Sequence, residues 1–149
     1  MHTPKASDPT AQIGTILDGF HSAAAQADGE TYFDYFHPEG VFLGTDKNER
    51  WTVEAFRAFA EPYFSQGKGW TYISQKRFVS VSQDGNTAWF DEALHNAKYG
   101  NTRGSGVLVR QGDTWKITQY VLSFPIPNEV AKEAIQLIQD FEKNGQTKP

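Results

Sequence analysis

Apolar residues fall on two different periods along this chain. Over residues 11–27, Ile13, Ile16, Leu17, Phe20, Ala23, Ala24 and Ala27 recur at helical spacing. That spacing predicts an amphipathic helix with one buried stripe. Asp28-Gly29 predicts its end through a left-handed cap. A short helix over 29–36 follows, carrying Tyr32, Phe33 and Phe36. His37-Pro38 stops it, because the residue before a proline is pushed out of the helical region. Residues 40–44 predict a short apolar strand bounded by glycines, and 45–50 a polar turn. Trp51 comes next, then a helix over 53–65 with Thr52 as its N-cap and Phe56, Phe59, Ala60 and Tyr63 on one stripe. Pro62 predicts a kink late in that helix.

From residue 71 the pattern switches to period two. Residues 71–82, 86–99, 105–111 and 114–124 read as four strands. QDGN, GNTRG and GD separate them, and Asp-Gly is a strong hairpin signal. Pro125 and Pro127 end the sheet. Asn128 then caps a last helix over 129–143, with Val130, Ala134, Leu137, Ile138 and Phe141 on its apolar face. Helices, then an antiparallel meander, then one helix make an α+β architecture. One face of such a sheet packs on the helices, and the other is exposed or covers a partner subunit. The predicted organisation is a flexible arm over 1–10, a domain over 11–127, and a C-terminal helix and tail over 128–149.

Composition narrows the function classes. A chain of 149 residues has room for one domain. It has no cysteine, which excludes a disulfide framework, a thiolate zinc site and a cysteine nucleophile. A net charge of −4 argues against a nucleic-acid partner. No apolar run approaches the ~18 residues of a membrane span. The start, MHTPKASDPT, lacks the regions of a signal peptide. A leader removed before residue 1 would leave such an arm, so the compartment stays open. The unusual quantity is the aromatic content of 14%, with 11 Phe, 6 Tyr and 4 Trp. It predicts a core, or a cavity within it, built from rings.

The Ala-rich first helix leads into QADGETYFDYFHPEGVFLGT, with ERW after the polar turn. NTAWFDE follows in the second long strand, and GDTWKITQYVLS with PIPNE closes the series. In order and spacing these pieces resemble the nuclear transport factor 2-like superfamily, and more closely its SnoaL-like branch, over about residues 11–130. The resemblance implies a cone: a curved antiparallel sheet wrapped around the N-terminal helices (cystatin-like), with a C-terminal helix. It also implies one of several functions, among them isomerases, dehydratases, polyketide cyclases, and binding or assembly modules. Fold alone does not choose among these.

Candidate chemistry centres on Asp91-Glu92. Neighbouring strand residues point to opposite faces, so one of the two carboxylates can enter the cone. Ala88, Phe90, Glu92 and Leu94 share one face, and Trp89, Asp91, Ala93 and His95 share the other. Periodicity leaves both faces open, and Glu92 is preferred for its apolar neighbours. A carboxylate in an apolar cup would have a raised pKa and could act as a general base, as in the family's steroid isomerases. Glu92 and His95 at strand spacing fall on opposite faces and carry no metal reading. Asp18 and His21 share a helix face, but two ligands do not make a metal site.

The proposed pocket wall comprises Trp51, Tyr63, Trp89 or Phe90, and Gln119, with Trp70 and Tyr120 as further aromatic candidates. In the last strand Trp115, Ile117, Gln119, Val121 and Ser123 are read as the concave face, and Tyr120 and Leu122 as convex. Related domains often carry His at the positions of Gln119 and Val121. The leading expectation is a cofactor-free, metal-free, homodimeric protein that binds a small apolar or cyclic ligand and pairs through the convex sheet face. The alternatives are an isomerase, cyclase or dehydratase using Glu92 or Asp91, and a dimerisation module without catalysis.

Overall fold

The computed structural model describes residues 8–145. Most of the arm expected over 1–10 lies outside them, and its residues 9 and 10 belong to the first helix. Helix α1 runs Pro9–Ala25, with the Asp8 carboxylate accepting from the Thr10 amide as N-cap. Ile13, Leu17, Phe20, Ala23 and Ala24 form its buried stripe. Helix α2 (Gly29–Asp34) buries Tyr32 and Phe33. Strand β1 (Phe36–Leu43) then passes through His37 and Pro38 and starts earlier than the sequence pattern suggests. Strand β2 is Arg50–Thr52, and helix α3 is Val53–Phe64, capped by Thr52 Oγ1. The helix continues through Pro62 to Phe64.

The four long strands follow as β3 (Ile73–Val81), β4 (Thr87–Asn96), β5 (Gly100–Gln111) and β6 (Thr114–Ser123). GNTRG is not the β4–β5 turn. The chain reverses at residues 97–100, where the buried Asn96 side chain accepts from the Lys98 and Tyr99 amides and Gly100 takes φ +76°. A short 3-10 turn (Asn128–Val130) leads into α4, Ala131–Gly145.

The sheet order is β2-β1-β6-β5-β4-β3. The meander β3–β6 is antiparallel throughout, as is β1 with β2, and β1 joins β6 in parallel. Gly40 makes that join possible, since a Cβ there would lie 2.9 Å from the Ile117 carbonyl. Helices α1, α2 and α3 fill the concave side. The core between them is a continuous packing of rings. Phe20 stacks on Tyr32 at 4.4 Å between centroids, and Phe42 on Phe56 at 4.3 Å.

A β-bulge in β6 decides which residues enter the cone. Leu108 pairs with Ile117, but Val107 pairs with Gln119, so residue 118 is an insertion in the ladder. An inserted residue reverses the alternation beyond it. Trp115, Ile117 and Tyr120 are therefore all buried, and Gln119 is exposed. The concave face assigned to Gln119, Val121 and Ser123 belongs instead to Tyr120 and Leu122.

Helix α4 keeps its apolar face uncovered among the described residues. Ile135, Leu137, Ile138 and Phe141 are all exposed. An ion pair between Lys47 and Glu142, 3.4 Å, ties it to the turn between β1 and β2.

The left-handed residue ending α1 is Ala27, at φ +57°, rather than the glycine at 29. Its amide and that of Asp28 close the helix onto the Ala24 and Ala23 carbonyls. An alanine in this conformation costs about 1–2 kcal/mol relative to its preferred regions. Ala27→Gly should raise the unfolding free energy by about 1 kcal/mol, read as a shift of the urea midpoint at constant slope.

Candidate functional site

Four elements meet around one buried carboxylate. The alternation of β4 turns Ala88, Phe90, Glu92 and Leu94 inward, and Glu92 is 1% exposed. Asp91 points to the opposite, outer face and is exposed, so the structure removes it from the interior. Arg77 lies directly across from Glu92 on β3, and its Nε donates to Glu92 Oε1 at 2.8 Å. From α1, His21 Nε2 sits 2.7 Å from Glu92 Oε2. From β6, the Tyr120 hydroxyl donates to the same oxygen at 3.1 Å. Arg77 also bonds outward, through Nη1, to Asp18 Oδ1 at 2.9 Å and the Gly14 carbonyl at 3.1 Å.

Gly104 leaves the room this arrangement needs. It pairs with Glu92 on β4 and Leu122 on β6, and a Cβ there would fall 2.1 Å from the Tyr120 hydroxyl. A strand glycine here marks a close approach rather than a turn.

The electrostatics are set by competition. Burial alone would raise the Glu92 pKa, but the His21 hydrogen bond and the charges of His21 and Arg77 outweigh it and hold it below the ordinary value. Glu92 is therefore an ionised acceptor, and the His21 Nε2 facing it carries a proton. Burial, with the Glu92 charge beside it, pushes the Tyr120 phenol well above its usual range, so Tyr120 remains a donor. This corrects the expectation of a raised Glu92 pKa. Both carboxylate oxygens are committed, and Oε2 fixes the His21 ring.

A cavity of about 240 Å³ opens toward solvent beside the network. Its walls include Phe42, Trp51, Phe56, Phe59, Trp70 and Tyr72, with Tyr99, Phe124 and Glu49 among the other lining residues. A smaller inner chamber, about 20 Å³, shares Phe42, Trp70, Tyr72 and Leu122 with it. His21, Tyr32 and Tyr120 line this inner end.

Of the pocket residues expected from sequence, Trp51 lines the cavity, as does the further candidate Trp70. Tyr120, the other further candidate, lines the inner chamber, and the rest lie elsewhere. Phe90 is buried in the core, 5.7 Å from the Tyr120 ring. Trp89 is half-exposed on the convex face, as strand alternation opposite Phe90 requires. Gln119 is on that face because of the bulge. Tyr63 is half-exposed on α3, since the buried stripe runs through Val53, Phe56, Ala60 and Phe64. Sequence reasoning missed His21 and Arg77 as site residues. The only signal was polar residues beside the apolar stripe of α1 and inside β3. Among the described residues, no group of three or more His, Asp or Glu side chains is placed to hold a metal ion.

The family model described as a SnoaL-like domain matches residues 13–127. The chain belongs to the SnoaL-like domain family. No curated protein matches this SnoaL-like chain. Solved structures similar to it include a nuclear transport factor 2-like protein of unknown function from Pseudomonas putida. That protein has 16% identity and a TM-score of 0.64, over 80% of this chain and 89% of the other. A protein provisionally assigned as an aromatic ring hydroxylase, from Novosphingobium aromaticivorans, has 18% identity and a TM-score of 0.68, over 80% and 91%. One provisionally assigned as a scytalone dehydratase from the same organism has 11% identity and a TM-score of 0.65, over 78% and 84%. At these identities the likeness shows the fold.

The network gives a stability prediction with a definite sign. Because the folded pKa of Glu92 lies below its ordinary value of 4.5, its contribution is present above that value and is lost as pH falls through the lower folded one. Glu92→Gln should cost about 3 kcal/mol near pH 7, since it leaves the half-buried Arg77 facing a neutral amide. Urea unfolding of both proteins down to about pH 3 checks this: the difference between them should shrink as the medium becomes more acidic.

Proposed function

We propose that this SnoaL-like domain binds a small, flat or cyclic apolar molecule inside its cone. The observation that carries this reading is the open cavity of about 240 Å³ walled by Trp51, Phe56, Phe59 and Trp70. Aromatic walls with a few polar groups at one end are the usual make-up of a small-molecule site. A cone filled by its own side chains would have favoured a module that only assembles. Trp51 and Phe59 stand 5.0 Å apart between centroids at the mouth, so they are the rings a ligand meets first. Native mass spectrometry of the purified protein should reveal a co-purified small molecule, and Trp51→Ala should weaken its binding about tenfold or more. Unchanged affinity in that variant would move the ligand out of this cavity.

A second reading is favoured by one specific feature, the buried Glu92–His21 pair. An ionised carboxylate that fixes a histidine beside an enclosed space is a common arrangement for proton transfer. An isomerase, cyclase or dehydratase built on it would use His21 as the base, with Glu92 holding the ring rather than taking the proton. The provisional dehydratase and hydroxylase assignments of two fold relatives are compatible with this reading.

The convex face supports a homodimer within the same proposal. Phe78 and Trp89 are about half-exposed there. Trp89 pairs with Val107, and Asp91 pairs with Ser105, which faces Val121. The face thus joins large apolar groups to small ones that allow close approach, and Asp91 and Arg103 give it both signs of charge. Apolar groups grouped on one exposed sheet face mark an association surface. Trp89→Arg should convert a dimer to a monomer in light scattering and leave the far-ultraviolet circular dichroism of the folded domain unchanged. A wild-type monomer at high concentration would overturn the dimer.

A further inference from the structure

We infer that the inner chamber is a subsite for one uncharged oxygen, a hydroxyl or carbonyl carried by an aromatic ligand whose ring occupies the outer cavity. This rests on the binding reading above and adds to it the chemical class of the ligand.

Size sets the first limit. The chamber holds about 20 Å³, which is room for a single water-sized group. A hydroxyl or carbonyl oxygen fits, and a carboxylate or phosphate does not. Shared walls set the second. Trp70, Tyr72, Phe42 and Leu122 border both spaces, so a ring between them can extend one substituent inward.

The polar groups set the third. Tyr32 is 1% exposed, walls the chamber, and its hydroxyl has no hydrogen-bond partner of good geometry in the protein. The Trp70 side chain beside it is a donor-only indole whose influence does not overcome burial, and the phenol stays protonated. A buried hydroxyl without a partner costs about 1–3 kcal/mol, and a ligand oxygen would relieve that cost. His21 adds a second polar group. Its Nε2 is committed to Glu92, and Nδ1 has no partner among the described residues.

Charge sets the last limit. Neither space is lined by Lys or Arg. Glu49 stands at the outer cavity, and the ionised Glu92 lies directly behind His21. An anion entering the cone would meet carboxylates, and the His21 ring there is already committed to one of them.

Isothermal titration with 2-naphthol, 2-methylnaphthalene and 2-naphthoate tests the assignment. Wild-type protein should bind 2-naphthol about tenfold or more tighter than either other compound, because a site built for a hydroxyl rejects analogues that lack it. Tyr32→Phe removes an unpartnered hydroxyl, so it should fold normally. It should bring 2-naphthol to within about twofold of 2-methylnaphthalene and leave the latter's affinity unchanged. Equal binding of the two neutral compounds by wild type would overturn the subsite and leave the cavity reading intact. A naphthol preference that survives in Tyr32→Phe would also overturn it, as would tightest binding of 2-naphthoate. Failure of both neutral compounds to bind would overturn the subsite and the cavity reading together.

Discussion

The interior of this domain is organised around the negative charge of Glu92. An ionised carboxylate that is 1% exposed is tolerable only if donors and positive charge meet both of its oxygens. The answers come from α1, β3 and β6: His21, Arg77 and Tyr120. These elements are far apart in sequence, so satisfying one side chain fixes how the first helix lies on the sheet. Arg77 does most of this. It faces Glu92 across a strand pair and reaches back to Asp18 and the Gly14 carbonyl, pinning α1 along β3. The Asp18 contact sits where that side chain is largely exposed, so solvent screens it. The buried contacts to Glu92 carry more weight.

A polar cluster of this kind contributes specificity more surely than stability. The stabilising part of the interior is the packing of rings around it. Phe20 touches Tyr32, Phe36 and Tyr120, and Phe56 touches Tyr32, Phe33 and Phe42. Rings at these separations add to the burial of their own area. The two parts of the core meet at Tyr120, whose ring packs with Phe20, Phe42 and Phe90 while its hydroxyl serves Glu92.

Much of the frame was legible in the sequence, because period and cap residues carry it. The α1 stripe, Thr52 as the α3 cap and the inward face of β4 follow from spacing alone. The misplaced features share a physical origin in departures from ideal periodicity. Thr118 looks like any strand residue, yet as a bulge it reverses β6 and exchanges Gln119 for Tyr120 in the cone. Gly104, within GNTRG, looks like a turn glycine, yet its missing Cβ makes room for the Tyr120 hydroxyl. Bulges and close approaches are properties of two chains side by side, so a single sequence does not announce them. His21 was hidden for a related reason: a lone histidine beside an apolar helix stripe gains meaning only from the strand it lies against. Glu92, by contrast, sat on a strict alternation. Its direction was readable, and its partners, hence the sign of its pKa shift, were not.

The same constraint that builds the fold also sets what the inner chamber can do. Because Glu92 stays ionised, His21 must present a proton to it from Nε2, and the other ring nitrogen stands outside the network. Because the Tyr120 phenol is held protonated by burial and by Glu92, it cannot accept a proton from anything bound nearby. Of the three side chains, only the His21 ring keeps a nitrogen outside the network, and folding has already fixed its orientation. The ligand we propose would need only to match a rigid aromatic slot and one or two polar atoms. On that proposal, discrimination would rest on shape and on the placement of a single polar group.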